Sequence, residues 1–294
     1  MAELAEVYVN QYAANCYQMV QQQGSKLSAF VAHEPMKGEL KFVERVHPTE
    51  VERVTSKYQD SPIIPTKFDR RALRAYEYAW GDMVDWMDDL NILIDPTGPI
   101  TKAGAYALGR KCDQIIIEGL LGDAWGGKDG NTKIVFKASQ TIADAVGGTA
   151  STGLNLEKLI QARSLIGKAD VDIEAPGEQL IFVLTQSQID DLLRTTEVKS
   201  ADYNAIRALV TGQIDTFMGF KFLRISDKVL PKEANLRSCI AFCKSCVSYA
   251  EPQPIASQIA QRADKNFNWY AFMKMKCGAT RNEDGGIVKI QCKE

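Results

Sequence analysis

Residues 30–75 place the strongest constraint on this chain. There, short apolar pieces such as Leu40, Phe42 and Val43 are separated by Pro35, Pro48, Pro62 and Pro65. Such a segment cannot fill a core by itself. A compact domain rarely carries so long a stretch of weak structure unless it works or binds something. Its expected form is an extended β-hairpin-like loop, and the rest of the chain must supply the scaffold that holds it.

Charge is segregated around this segment. Lys67, Arg70, Arg71 and Arg74 fall within eight positions. From Tyr76 to Asp95 there are six acids (Glu77, Asp82, Asp85, Asp88, Asp89 and Asp95) and no Lys or Arg. The whole chain balances 35 basic against 37 acidic side chains, so its net −2 conceals the separation. A basic stretch on one subunit meeting an acidic tract on the next is a heterologous contact, the kind that builds rings and shells. Exposed ion pairs contribute only ~0–1 kcal/mol each, so such an assembly needs many repeated contacts. The candidate subunit-interface residues are therefore Lys67, Arg70, Arg71, Arg74, Glu77, Asp82, Asp85, Asp88 and Asp89.

The scaffold has ordinary globular composition. The chain has 294 residues, 45% of them apolar and 24% charged. That length suggests two domains or one large one and enough buried surface to fold without staples. No apolar run approaches the roughly 18 residues of a membrane span. The N-terminus, MAELAEVYVNQ, is acidic where a signal peptide is basic, so export is not expected and a reducing cytosol is the default compartment. A near-neutral balance argues against a dedicated nucleic-acid binder.

Periodicity places the elements. Val7, Tyr12, Cys16 and Met19 give residues 1–24 a loose helical spacing that ends at Gly24. Tyr76, Tyr78 and Trp80 alternate as in a strand. Asp95-Pro-Thr-Gly-Pro99 is a turn and helix-start signal, and a helix is expected from about Pro99 to Asp123. Leu108, Cys112, Ile115, Ile116 and Leu120 form its apolar stripe, with Arg110, Lys111, Asp113 and Gln114 on polar faces. Gly104, Gly109 and Gly119 each lower its propensity by up to ~1 kcal/mol. Further on, 133–137 reads as a strand. Residues 155–167 read as a helix capped by Asn155, with Leu156, Leu159, Ile160 and Ile166 inward. LIFVL (180–184) is a buried strand, Thr185 caps a short helix to about Leu193, Ser200 caps another to about Val210, and 219–225 is a strand. Residues 271–277 and 287–293 alternate apolar with polar, and Asp284-Gly-Gly286 between them is a hairpin signal. The class is α+β.

Catalytic chemistry finds little support. Cys243-x-x-Cys246 is a lone CxxC, and Cys239 adds only a third sulfur, so a buried small hydrophobe is the plainer role for each. The aspartates at 82, 85, 88 and 89 have the spacing to gather a divalent cation if helical, or to pair as general acid and base. No second acidic motif supports them, and a solvated face is the simpler account. Gly126-Gly-Lys-Asp-Gly130 lacks the order of a phosphate loop and is expected to be a turn. His33 and His47, the chain's two histidines, have no nucleophile context and are expected on exposed loops. No cofactor is expected.

Along nearly its whole length the chain resembles the major capsid (coat) proteins of tailed double-stranded DNA bacteriophages. QMVQQQGSKLSAFV (18–31) is similar to the family's N-terminal arm. RRALRAYEYAWGDMVDWMDDLNILIDP (70–96) is similar to the return of its extended loop, and ITKAGAYALGRKCDQIIIEGLLGDA (100–124) to its long spine helix. KSADYNAIRALVTGQIDTFMGFKFLRISDKVLP (199–231) is similar to the later part of its axial domain, and DKNFNWYAFMKMKCGATRNEDGGIVKIQCKE (264–294) to the C-terminal strands of its peripheral domain.

The resemblance implies an N-terminal arm (1–30), an extended loop (31–95), a peripheral domain with the spine helix at about 99–123 (96–150), an axial domain (151–238) and returning peripheral strands (239–294). It implies a self-assembling, non-catalytic subunit of the virion, made in the cytoplasm of the bacterial host. Copies would form the hexamers and pentamers of an icosahedral head, the loop of each lying over its neighbour. Double-stranded DNA would be enclosed without sequence-specific binding. A portal protein and a decoration protein are further expected partners, and a membrane is not one. Because Met1 stands almost directly at the arm, a separate scaffolding protein is expected. Two alternatives stand beside this one: a nanocompartment (encapsulin-like) shell, which needs an inner cargo pocket, and an enzyme using Asp82–Asp89 or the CxxC.

Overall fold

The computed structural model describes residues 22–61, 63–84, 97–148, 150–169, 171–194 and 216–294. In chain order these form strands β1 (Ala32–His33), β2 (Leu40–Val46), β3 (Phe68–Arg74) and β4 (Tyr76–Val84), then helix α1 (Thr97–Leu121). Strands β5 (Ala124–Gly126), β6 (Thr132–Ile134) and β7 (Thr141–Ile142) precede helix α2 (Leu156–Gly167), strand β8 (Leu180–Leu184) and helix α3 (Gln186–Arg194). Strands β9 (Thr216–Phe217), β10 (Phe220–Arg224), β11 (Lys232–Glu233), β12 (Leu236–Cys243), β13 (Val247–Arg262), β14 (Asn268–Arg281) and β15 (Ile287–Lys293) complete the chain. The strands make three sheets, ordered β1-β13-β14-β4, β2-β3-β5-β6 and β7-β15-β12-β8-β10-β9, with β11 paired to β12. The class is α+β, as the sequence indicates. Among the described residues no helix is long and apolar enough to cross a membrane.

The chain forms two compact units, each assembled from three stretches: 1–25, 77–111 and 253–276 in one, and 26–76, 112–252 and 277–294 in the other. The larger unit is built around β8. All five of its residues are buried. It runs parallel to β10, from Phe220 opposite Leu180 to Arg224 opposite Leu184, and antiparallel to β12. An unbroken apolar run suits a strand covered on both faces. β12 pairs in turn with β15, from Leu236 opposite Lys293 to Phe242 opposite Ile287. Helix α2 starts where Asn155 accepts from the Lys158 backbone N–H at 2.9 Å. Helix α3 starts at Thr185, whose backbone N–H donates to Gln188 Oε1 at 3.0 Å, half of a capping box.

Helix α1 has 25 residues and buries Leu108, Cys112, Ile115, Ile116 and Leu120, the expected stripe. Its glycines mark close approaches. A Cβ at Gly104 would lie 2.4 Å from the Trp80 ring, and one at Gly109 2.5 Å from the Gly24 backbone. At Gly119 it would lie 2.8 Å from Ala279 Cβ and 2.9 Å from the Ala279 carbonyl carbon. Helix propensity is sacrificed so that Trp80, the backbone at Gly24 and Ala279 can each seat against the helix. In the smaller unit Tyr270 crosses Gly81 and stacks on Phe272 at 5.9 Å between centroids. Alternation on β14 is as expected, with Ala271, Met273, Met275 and Cys277 buried.

Four expectations change. Asp113, expected on a polar face, is fully buried because it accepts the backbone N–H groups of Lys26 and Leu27, each at 3.0 Å. Ile160, expected inward, is 46% exposed, while Lys158 is buried in its place. The Lys158 ammonium donates to the carbonyls of Thr152, Gly153 and Gln291 at 2.8–2.9 Å, and burial pushes its pKa down. The strand expected at 133–137 is shorter, Thr132–Ile134. The Asp284-Gly-Gly286 turn closes no hairpin: β14 and β15 belong to different sheets, and Asp284 faces arginines instead of shaping a turn. The helices expected at 1–24 and 200–210 lie outside the described residues, except for 22–24.

Two measurements follow. Gly119→Ala should lower the denaturation midpoint despite gaining helix propensity, because its Cβ meets backbone, at an overpacking cost of about 1–3 kcal/mol. Gly167→Ala, with nothing within 4 Å of its Cβ, should be neutral or stabilising by up to ~1 kcal/mol. The second concerns Glu294. Burial opposes its ionisation, but hydrogen bonds from Lys232, Arg237 and Ser187 outweigh burial and hold its carboxyl at about 2. Stability from this group is complete above the ordinary value of 4.5 and is lost as pH falls from there towards 2. Acid titration of unfolding should show that loss in the native chain and a shallower one in Glu294→Gln.

Candidate functional site

Strands β2 and β3 pair antiparallel, from Leu40 opposite Arg74 to Val46 opposite Phe68. They form the expected hairpin, and the described residues that join them are exposed. Each described residue from Val46 to Phe68 is exposed. Seven of these are large and apolar: Val46, Val51, Val54, Tyr58, Ile63, Ile64 and Phe68. The tip is ordered locally, since Gln59 Oε1 accepts from Thr55 N at 2.8 Å and from Thr55 Oγ1 at 3.1 Å.

The root of the hairpin is fixed by packing and by charge. Leu73 is fully buried in a cluster with Met36, Ala75 and Ala250, and Val43 packs against it. On the same face of β3, Arg71 is 3% exposed and donates to Asp284 Oδ2 at 3.0 Å. Asp284 Oδ1 accepts from Arg281 Nε at 2.5 Å. Arg281 also donates to the carbonyls of Leu120 (3.0 Å), Gly122 (2.7 Å) and Ile134 (3.3 Å). Its guanidinium lies 5.1 Å from the Phe136 ring centroid. One strand further out, Arg45 forks onto Asp69 directly across the ladder and donates to the Asn282 carbonyl. The Arg45 hydrogen bond holds the Asp69 carboxyl below the usual range, while burial pushes the Arg71 guanidinium down. Taking the shared carboxylate from a buried cluster of this kind typically costs about 3–5 kcal/mol.

The expected basic stretch is thereby split by the pleat. Arg71 turns inward and is spent on Asp284 of its own chain, so it has no surface to offer a neighbour. Arg70 and Arg74 lie on the opposite face, half-buried, over the rings of Phe42 (5.1 Å) and Trp125 (5.4 Å). Arg74 also donates to the Gly130 carbonyl at 3.0 Å. Lys67 is exposed. A cleft of about 410 Å³ opens beside them, lined by Glu44, Phe68, Asp69, Arg70, Gly127 and Lys128. On β4, Glu77 is exposed and takes a long 3.5 Å ion pair from Lys276, and Asp82 is exposed and accepts from the Met83 backbone. Asp85, Asp88 and Asp89 lie outside the described residues.

The remaining candidates sit as follows. Cys239, Cys243 and Cys246 are buried free thiols. A hydrogen bond with Cys243 and burial together push the Cys246 thiol far up, which disfavours its thiolate. His33 and His47 are exposed, with His33 Nε2 2.7 Å from the Ser28 carbonyl. Gly127 and Gly130 shape the turn between β5 and β6 at φ +84° and +68°. Among the described residues no three His, Cys, Asp or Glu side chains gather to hold a metal ion. Sequence alone does not single out Arg45, Asp69 or Arg281: the strand register sets Arg45 opposite Asp69, and only the tertiary fold brings Arg281 and Asp284 to Arg71.

A family model described as "Phage capsid protein" matches residues 4–294. No curated protein sequence matches the chain. Among solved structures, the capsid of Ralstonia phage GP4 superposes with a TM-score of 0.72 at 10% identity, over 98% of this chain and 96% of that one. The capsid of a native GTA particle gives 0.70 at 13% identity, over 100% and 98%. A chain from Mycobacterium phage Che8 gives 0.62 at 16% identity, over 96% and 97%. These are likenesses of fold. Matched by the family model along residues 4–294, and carrying the fold of phage capsid structures, the chain belongs to the phage capsid protein family.

Proposed function

We propose that this protein is the major capsid subunit of a tailed phage and works by repeated self-contact, without catalytic turnover. Copies associate as hexamers and pentamers of an icosahedral head that encloses double-stranded DNA. The observation that carries this is the hairpin: its root is built into the core, yet from Val46 to Phe68 every described residue is exposed, with seven large apolar side chains among them. A patch of that kind marks a surface that another protein covers. The loop of one subunit lies over the next. Scaffolding and portal proteins guide assembly in the host cytoplasm, and a decoration protein completes the partners. The near-neutral charge suits a wall that must not hold packaged DNA, since strong phosphate neutralisation would bind it tightly. Within the subunit, the arm (1–30), loop (31–95), peripheral (96–150 and 239–294) and axial (151–238) regions would divide this work.

The charged contact is refined by the pleat. Lys67, Arg70 and Arg74 form the outward basic set, meeting Glu77, Asp82 and the acids that follow on a neighbouring copy. Reversing all three to Glu should leave a folded subunit. Its unfolding free energy should fall by the loss of two stacked cations, each worth about 0.5–1 kcal/mol, and of the hydrogen bonds from Arg74 to Gly130 and Asn131. Shells should be strongly depleted in electron micrographs. Normal shell yield from the triple variant would overturn the charged contact.

A further inference from the structure

The cleft of about 410 Å³ at the hairpin root, lined by Glu44, Phe68, Asp69, Arg70, Gly127 and Lys128, holds two cations that the chain does not spend. The Arg70 Cζ lies 5.1 Å from the centroid of the Phe42 ring. Stacking of that kind occupies the flat face of a guanidinium and leaves its edge of N–H donors for other partners. Among the described residues the Arg70 side chain makes no ion pair and no hydrogen bond. Lys128, exposed on the turn between β5 and β6, makes none either.

The two carboxylates of the cleft do not answer them. Asp69 is already forked by Arg45, with His47 Nε2 3.4 Å away. Glu44 stands opposite Arg70 in the β2–β3 register, yet the two form no ion pair. Asp129, next to Lys128, is exposed and does not line the cleft. Asp69 also joins the cleft to the buried cluster, where the guanidiniums of Arg45, Arg71 and Arg281 share only two carboxylates, Asp69 and Asp284. Arg71 is 3% exposed, and its Nη1 has no hydrogen-bond partner among the described residues. That nitrogen lies 3.8 Å from where a Cβ would stand on Gly126, at the edge of the same turn. Positive charge in excess at a half-buried place is costly until an anion meets it. The cleft is larger than a bare oxyanion needs and falls in the size range of small-molecule sites. Phe68, 71% exposed on its wall, offers an apolar surface beside the cations.

We propose that this cleft binds a phosphate monoester, its phosphate oxygens at Arg70 and Lys128 and its organic part against the Phe68 ring. The arginine fork and the lysine point charge are the usual pair for a phosphate group. Arg70 also belongs to the outward basic set proposed above, so a bound phosphate competes there with a neighbour's acids. The binding itself is a property of the single subunit and does not depend on the shell.

The test is calorimetric titration of the unassembled full chain with phenyl phosphate, inorganic phosphate and chloride at matched ionic strength. Phenyl phosphate should bind saturably and severalfold tighter than inorganic phosphate, and chloride should not bind. Arg70→Gln and Lys128→Gln should each weaken phenyl phosphate by roughly tenfold, the loss of one charge-assisted hydrogen bond. Glu44→Gln should tighten it, which loss of a merely structural side chain would not do. Phe68→Ala should erase the advantage of phenyl phosphate over inorganic phosphate. Lys128 and Glu44 are exposed, so their variants should keep the native denaturation midpoint and hold the test independent of folding. Absence of saturable binding would overturn the site, as would affinity unchanged in Lys128→Gln or weakened in Glu44→Gln. Subunits that bind phenyl phosphate but never form particles would sink the self-assembly reading and leave this one standing.

Discussion

The buried ion cluster of Arg281, Asp284 and Arg71 is the interaction on which the larger unit's functional geometry depends. One carboxylate joins β3 to the end of β14, and the same Arg281 ties in the end of α1 and strand β6 through three carbonyls. A guanidinium offers five donors in a rigid fork, so it can hold several backbone segments at once where a lysine could not. The desolvation cost of such a cluster is high, and its contribution is better understood as specificity than as net stability. It fixes where the hairpin leaves the core and which face of β3 turns outward.

The consequence is a subunit with two kinds of surface. Inside, β8, β10, β12 and β15 are closely paired, and two charged groups that enter find partners: Asp113 two backbone N–H groups, and Lys158 three carbonyls. Outside, the hairpin beyond Val46 exposes apolar side chains on ordered backbone. A monomer that worked alone would gain by removing them. Under the assembly proposed above, each copy's surface is completed by another.

The sequence was informative wherever one strand or helix decides the pattern. The α1 stripe, the LIFVL strand, the Asn155 and Thr185 caps and the alternation on β14 and β15 all follow from local periodicity. It was uninformative wherever two distant segments decide jointly. Arg71 and Arg74 read as one basic patch until the pleat of β3 sends them to opposite faces. Asp284 reads as a turn residue until β14 and β15 prove to belong to different sheets. Lys158 reads as a surface lysine beside an inward Ile160, and only the carbonyls of Thr152, Gly153 and Gln291 reverse the two. The glycines of α1 read as weak helix, and their reason lies in Trp80, Gly24 and Ala279, which approach them.

The central claim is that the hairpin is folded at its root in the free subunit and completed at its tip by a neighbour. Hydrogen exchange, compared between free subunits and assembled particles, tests it most directly. The amides of β2 and β3 should be protected in both states, while those of residues 47–61 and 63–67 should exchange freely in the subunit and become protected in the particle. Equal exchange of the tip in both states would contradict the account.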